Sequence, residues 1–415
     1  MAVIGSGVSG LTAAYLLTRT AQVTLFESAD RIGGHVHTHH TTLDDGSSAD
    51  VDSGFIVCNN QTYPTVLRLF DELGVALRPT EMSMGIRCDG CGLQFVGGRG
   101  LGGVFAQHRR LVDPRFWRLL YGVRRFQRLA LRHLADDVDD SETYGEFLSR
   151  HGFGTDFVNH YAVPVVSCVW SSGHDDALRY PAGYLFAFLR NHGFLRLKGA
   201  PQWYVVEGGS SSYVDRILAT LDDVATRTPV TAVTRHDEGV TLSGPAGDLG
   251  TFDAVVVATH ADIALGMLAD ATADEKEVLG AFGYSSNTVV LHRDDSVLPA
   301  SRAARGAWNY RMGACETRDE RVQASYWMNR LQHLDERSPL VVTLNPDRDR
   351  PPEQMIAEMS YTHPVYTAQA RRAQRRLAKL NSAQVAFAGA YHGWGFHEDG
   401  CRAGVAAARH FGVEW

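Results

Sequence analysis

Two periodicities alternate along this chain. Residues 2–4 are a short apolar run, residues 11–18 place apolar side chains at helical spacing, and residues 23–26 are a second apolar run that ends at Glu27. Short apolar runs bounded by glycine read as strands and a 3.6-residue spacing reads as helix, so residues 1–35 predict a β-α-β unit. Residues 36–60 are rich in Asp, Ser and Gly and predict short strands joined by loops. From Tyr63 to about Arg196 helical spacing dominates, with helices expected over 64–73, 115–134, 142–151 and 181–192. Strand signals return at 204–206, 230–233, 240–242 and 254–258. Both kinds of segment alternate over 262–380. The chain then closes with a strand at 385–388, a glycine-rich turn and a helix from about Arg402 to His410.

The first turn carries chemistry. Gly5-Ser6-Gly7-Val8-Ser9-Gly10 is G-x-G-x-x-G placed directly after a strand and opening a helix. Gly5 permits the tight turn, Gly7 lets the backbone approach a pyrophosphate, and Gly10 lets the helix pack close to the sheet, with the phosphates at the positive end of the helix dipole. Glu27, followed by Ser28, ends the second strand where an acid meets ribose hydroxyls; an acid there argues against a 2′-phosphate and so against NADP. Ala29-Asp30-Arg31-Ile32-Gly33-Gly34-His35 comes next. Arg31 supplies charge and a fork of donors, and Gly33 and Gly34 expose backbone N–H groups, a set suited to a second contact with a diphosphate. An NAD dehydrogenase has no need of that segment, so the cofactor expected is FAD. Because the nucleotide-binding pattern appears at the start, middle and end, the fold expected is α/β. It has a discontinuous Rossmann-type FAD-binding domain (residues 1–54, 203–262 and 382–415) and an inserted α+β substrate domain (55–202 and 263–381).

Residues 1–35 resemble the flavin-containing amine oxidase and phytoene desaturase superfamily. Glu207-Gly208-Gly209-Ser210, Pro229-Val230-Thr231-Ala232-Val233, and Phe387-Ala388-Gly389 followed by Gly395-Phe396-His397-Glu398-Asp399-Gly400 are similar to its further motifs. The resemblance implies that the backbone at Val230 holds the adenine. It also implies that Gly389 and the helix starting near Gly400 meet the ribityl and pyrimidine end of the flavin, with His397, Glu398 and Asp399 near its polar edge. A closer resemblance spans nearly the whole chain. Asp52-Ser53-Gly54-Phe55-Ile56-Val57, Asn60-Gln61-Thr62-Tyr63-Pro64, Pro201-Gln202-Trp203, Ala258-Thr259-His260-Ala261-Asp262 and Tyr326-Trp327-Met328-Asn329 look like a bacterial family of predicted FAD-binding oxidoreductases. That family is often encoded beside cyclopropane-fatty-acid-synthase-like methyltransferases. It implies cofactor contacts at Gly54, Phe55, Ala258 and Thr259, a lipid acyl substrate and a possible methyltransferase partner. Two positions depart from the amine-oxidase pattern: Phe396 stands in place of a tyrosine, and Gly389 is followed by Ala390 rather than an acid.

Composition narrows the remaining choices. The 415 residues are 44% hydrophobic, enough for two cores, and the net charge of −7 does not suit a nucleic-acid binder. The chain has three lysines, Lys198, Lys276 and Lys379; of these only Lys198 lies near the domain junction, where some flavin oxidases keep one. Six cysteines include one C-x-x-C, Cys88-Asp89-Gly90-Cys91, with no second pair to complete a zinc site, so reduced thiols at a hairpin tip are expected and no metal. His35, His37 and His39 alternate on one face without metal-ligand spacing around them. The first strand begins at Ala2, so no secretory leader is expected, a few leading residues are expected to be missing, and a cytoplasmic location follows. No run is long enough to span a membrane. Residues 115–134, from Arg115 to Leu134, set Phe116, Leu119, Leu120, Val123, Phe126 and Ala130 against Arg118, Arg125, Arg128 and Arg132, a basic amphipathic pattern open to peripheral membrane contact. Tyr310, Tyr326, Trp327, Trp394 and Phe396 are the pocket candidates, and no catalytic base stands out. The expected activity is FAD-dependent hydride abstraction from a fatty acyl or other lipid-like substrate, leaving a double bond. The alternatives are double-bond isomerisation, amine oxidation, or service as a flavin-bearing partner of a methyltransferase.

Overall fold

Five short parallel strands form the first sheet of the computed structural model, in the spatial order Asp223–Ala225, Thr24–Phe26, Ala2–Ile4, Val255–Val257, Val385–Phe387. Residues 1–136, 142–170, 173–195, 199–316 and 323–415 are described. Every residue of Ala2–Ile4, Val255–Val257 and Val385–Phe387 is buried, as a parallel sheet covered on both faces requires. On one face the helix Val8–Leu17 packs along the helix His397–His410. A Cβ on Gly400 would sit 2.5 Å from Val8 Cγ1, so the two helices touch near their N-termini because that position has no side chain. The other face is covered by helices Ala261–Met267 and Ala273–Leu279 and by a small antiparallel sheet, Ala232–His236, Gly239–Gly244 and Gly247–Phe252.

The second layer is a seven-stranded mixed sheet in the order Met355–Val365, Gly283–His292, Val341–Leu344, Ala324–Trp327, Trp308–Met312, Met84–Cys88, Leu93–Gly97. A helical layer covers its far end: Pro114–Ala135, Tyr144–Arg150, Val163–Trp170 and Ala182–Asn191 enclose a core centred on Phe126, whose ring meets those of Tyr144, Phe147, Phe157 and Phe186.

Sequence reading and structure part company in three places. The stretch expected to be mostly helical holds three strands, Leu77–Thr80, Met84–Cys88 and Leu93–Gly97. The last two form a hairpin whose partners lie more than two hundred residues away, beyond the reach of local periodicity. The strand Trp203–Val206, assigned by sequence to the cofactor domain, instead pairs with Cys58–Asn59 and Leu77–Thr80. The final helix starts at His397, before Gly400 or Arg402, so His397, Glu398 and Asp399 make its first turn.

Candidate active site

The first glycine loop, Glu27 and the second glycine loop are knitted by one side chain. Ser6 Oγ donates to Glu27 Oε2 at 2.6 Å and accepts from Gly33 N at 3.1 Å, while Ser6 N donates to the same carboxylate at 2.9 Å. Burial alone would raise the Glu27 pKa. The N–H of Ala29 and both Ser6 donors outweigh it and hold the carboxyl below its usual range, ionised at neutral pH. A Cβ on Gly10 would lie 1.8 Å from the Gly5 carbonyl oxygen, and one on Gly54 would lie 2.0 Å from that of His35. Three backbone segments therefore converge at distances that admit no side chain.

These segments line one end of a cavity of about 610 Å³. Gly5, Gly7, Val8, Ser9, Glu27 and Ser28 are on its wall, as are Gly33, Gly34, His35, Gly54 and Phe55. So are Val230, Ala258, Thr259, Gly389, Phe396 and His397. The helix Val8–Leu17 opens on the cavity at Gly7–Val8 and the helix His397–His410 opens on it at Phe396–His397. Two helix N-termini on one wall favour an anionic or strongly polar ligand. Four buried polar atoms of residues lining this cavity have no partner: His35 Nε2, Trp308 Nε1, Tyr391 Oη and Trp394 Nε1. Such orphans cost about 1–3 kcal/mol each, and a polar ring system in the cavity relieves them. Glycine cradle, ribose carboxylate and orphaned donors together fit an extended flavin dinucleotide.

Several residues assigned by sequence do other work. The Arg31 guanidinium donates to the carbonyls of Gly34 and Val36, at 2.6 Å each, so it shapes the second glycine loop and does not line the wall. Gly10 and Gly400 provide close packing behind the wall. The Glu398 carboxylate accepts from Thr65 N and Val66 N at 3.0–3.1 Å, capping the helix Pro64–Glu72. Asp399 Oδ2 accepts from Trp394 N and Phe396 N and thereby sets the turn before the last helix. His397 Nε2 is 2.6 Å from the Tyr213 hydroxyl, and its ring stacks on Phe55 at 3.7 Å. Gly208 and Gly209 lead into Ser210, whose N–H and hydroxyl bond the buried Asp52 carboxylate; desolvation pushes that carboxyl up to about 6.

Beyond the glycine loops the cavity wall changes character. Ile56, Val57, Met82, Val169, Trp170 and Phe194 are on it, together with Trp203, Trp308, Tyr326 and Leu344. Among the described residues Glu27 is its one acid, and no lysine or arginine lines it. Tyr326, Trp394 and Phe396 are where sequence put them. Trp327 is not: successive strand residues face opposite sides, and Trp327 packs with Leu298 and Val341 under the guanidiniums of Arg305 and Arg330. Tyr310 also leaves the wall and packs between the two main cores, whereas Trp308, cross-strand partner of Tyr326, is on it with ring centroids 5.3 Å apart. Lys198 lies outside the described residues.

Sequence reasoning also missed His192. Its ring stacks on Phe188 at 3.9 Å and lies 5.6 Å from that of Phe396. Its Nδ1 donates to the Phe188 carbonyl at 3.1 Å, which leaves Nε2 as a lone-pair nitrogen 3.5 Å from Thr62 Oγ1. Burial lowers its pKa to about 4, and lowers those of His35 and His397 to about 3 and of His363 to about 4. The wall is thus uncharged at neutral pH except at Glu27. The helical spacing expected over 181–192 gave no sign that its last residue would face a cavity.

Known proteins share this architecture. The model of a family described as flavin containing amine oxidoreductase matches residues 8–358. Polyamine oxidase 5 of Oryza sativa subsp. japonica is 40% identical over 82 residues, which is 19% of this chain and 15% of that protein. Coproporphyrinogen III oxidase of Mycobacterium tuberculosis (strain ATCC 25618 / H37Rv) is 39% identical over 80 residues, 18% of this chain and 16% of that protein. These matches span less than a fifth of each relative's length. Two solved structures align over nearly their full length. The CLA-producing fatty acid isomerase from P. acnes has a TM-score of 0.69 and 17% identity, covering 99% of this chain and 98% of that one. Cyclohexylamine oxidase from Brevibacterium oxydans IH-35A has 0.71 and 16%, covering 99% and 97%.

Proposed function

The chain belongs to the flavin-containing amine oxidoreductase family and is an FAD-dependent oxidoreductase, and from that premise we propose that it removes hydrogen from a fatty acyl chain to leave a double bond. The observation that carries this reading is the wall beside the glycine cradle: broad, aliphatic and aromatic, without an ionised group among the described residues. A hydrocarbon chain loses nothing in such a cavity, whereas a charged ammonium group would find no carboxylate to pair with it. Phe396, standing where the amine-oxidase pattern has tyrosine, agrees with this.

Bound FAD supplies the hydride acceptor. The residues of the chain do the rest. Gly7, Ser9 and the N-terminus of the helix Val8–Leu17 would hold the phosphates, the N-terminus of the helix His397–His410 would face the flavin end, and Glu27 would take the ribose hydroxyls. Trp170, Phe188 and Phe396 exclude water and fix the acyl chain. Desaturation releases a proton as well as a hydride, and we assign His192 Nε2 as the atom that takes the proton. Its Nδ1–H is committed to the Phe188 carbonyl, so this nitrogen is the basic one.

The same reading brings in the helix Pro114–Ala135. Trp117 and Tyr121 are 50% and 69% exposed, Trp117 Nε1 donates to the carbonyl of the exposed Leu111, and the exposed Arg115 and Arg118 flank Trp117 in the chain. Among the described residues no helix is long and apolar enough to cross a membrane. An amphipathic face of this kind suits docking on an anionic phospholipid surface.

Purified holoprotein mixed anaerobically with free fatty acids tests the substrate class. Loss of the visible flavin absorption with fatty acids, and none with cyclohexylamine, is expected; the reverse pattern overturns the reading. A shifted double bond without net bleaching would instead identify isomerisation, the reaction for which one structural relative is named.

A further inference from the structure

Away from the cavity, three distant segments bring Cys88, Cys91, His160 and Cys315 together, and their four ligand atoms all lie within 4.8 Å of one another. Cys88 and Cys91 come from the turn of the hairpin Met84–Cys88/Leu93–Gly97. His160 comes from the π-helical turn Val158–Ala162, and Cys315 from the loop after the strand Trp308–Met312. We propose that these four side chains form a structural zinc site that fastens the edge of the seven-stranded sheet to the helical layer.

Two of the six ligand-to-ligand edges have the lengths of a tetrahedron around zinc, and the others fall within 4.8 Å. Bond lengths of about 2.3 Å to sulfur and about 2.05 Å to nitrogen give S···S edges of about 3.8 Å and S···N edges of about 3.6 Å. Cys88 Sγ and Cys315 Sγ are 3.7 Å apart, and Cys91 Sγ and His160 Nε2 are 3.6 Å apart. The imidazole is prepared for ligation: His160 Nδ1 donates to the Asp156 carbonyl at 2.9 Å, so Nε2 carries the lone pair. The surrounding backbone is held just as closely. Asp89 N donates to the Met312 carbonyl at 2.9 Å, and Asn159 Nδ2 donates to the Cys315 carbonyl at 2.7 Å. Gly90, between the first two cysteines, would place a Cβ 3.0 Å from Cys315 N.

The donor set selects the ion. Three sulfurs and one imidazole favour zinc over magnesium or calcium, which take oxygen ligands. The nearby carboxylate of Asp89 is already paired with Arg87 and Arg311 at 2.7 and 2.8 Å. Zinc binding releases three thiol protons and leaves a centre of one net negative charge, with the guanidiniums of Arg87, Arg311 and Arg110 close by; Arg110 donates to the Cys91 carbonyl. Four protein ligands leave no open position, so the site stiffens the structure and performs no chemistry. It anchors the π-helical turn that leads into Val163–Trp170, the helix whose Cys168, Val169 and Trp170 reach the cavity wall.

Metal content decides the matter independently of the substrate. Untagged holoprotein, assayed by inductively coupled plasma mass spectrometry with flavin measured in the same sample, is expected to hold about one zinc per chain. Cys91→Ser and His160→Gln should each lose most of it, and Cys58→Ser should not. Should those variants fail to fold, exchange of the wild-type protein with cobalt gives a second readout: d–d absorption bands of a tetrahedral thiolate site, to the red of the flavin. Wild-type protein with neither zinc nor a cobalt signature overturns the proposal, as does recovery of a Cys88–Cys315 disulfide from unreduced protein. Zinc retained in both ligand variants overturns it as well.

Discussion

The glycine-built end of the cavity and its aromatic end solve different problems with different parts of the chain. At the cofactor end the backbone does the work: Gly5 to Gly10, Gly33 and Gly34, and Gly54 bring three segments to distances no side chain tolerates, and Ser6 ties them to Glu27. At the substrate end the wall is made of large side chains, Trp170, Phe188, Trp203, Trp308, Tyr326, Trp394 and Phe396, contributed by six separate elements or turns. Backbone cradles are stringent and common to many proteins that bind the same cofactor. Side-chain walls are permissive and set what each protein accepts.

Substitutions that respect or breach this division should sort by size of effect. Gly10→Ala puts a methyl group 1.8 Å from a backbone oxygen; it should cost at least about 1–3 kcal/mol of stability, and protein purified from it should carry no flavin in its visible spectrum. His192→Gln leaves the cradle intact. Its flavin content should equal the wild type's, while turnover of a fatty acyl substrate falls about 10²–10⁴-fold in single-turnover kinetics. Glu27→Gln keeps shape but removes an ionised acceptor of four hydrogen bonds, and FAD titrated into apoprotein should bind about ten- to a hundredfold more weakly.

The smallest effect is graded and touches the wall more than the loops. His35, His37, His192, His292, His363, His392 and His397 are all lowered to about 3 or 4, chiefly by burial. Between about pH 4 and 6.5 the unfolded chain binds protons at these sites that the folded chain does not, so stability falls as pH drops through that window. Asp52 and Asp399, raised to about 6, act in the opposite sense over part of it and are outnumbered. Calorimetry across this range should show Tm falling steadily toward acid.

The same division explains what could be read from residues alone. The G-x-G-x-x-G turn, Glu27 and the glycines at 33 and 34 could be read from local spacing because the need for glycine is written in consecutive residues, whereas Gly54 and Gly389 came only with the family resemblance. The wall was legible only in part. Tyr326 and Trp394 were found, but Trp327 and Tyr310 were placed with them because strand register, which sends Trp327 to the opposite face, depends on partners far along the chain. His192 ends a helix that looked like ordinary core, and Glu398 sat in a cofactor motif yet caps another helix. The C-x-x-C at 88–91 was seen, but its companions, His160 and Cys315, lie 69 and 227 residues from the cysteines they approach, so no spacing rule connects them.

The most direct measurement uses a fatty acid deuterated along the chain. Under anaerobic conditions the holoprotein should bleach its flavin with a primary isotope effect and release a product short of two deuterium atoms per new double bond. Fatty acid recovered with all its deuterium, while the flavin is bleached by simple amines, would contradict an uncharged wall selecting a hydrocarbon chain for hydride abstraction.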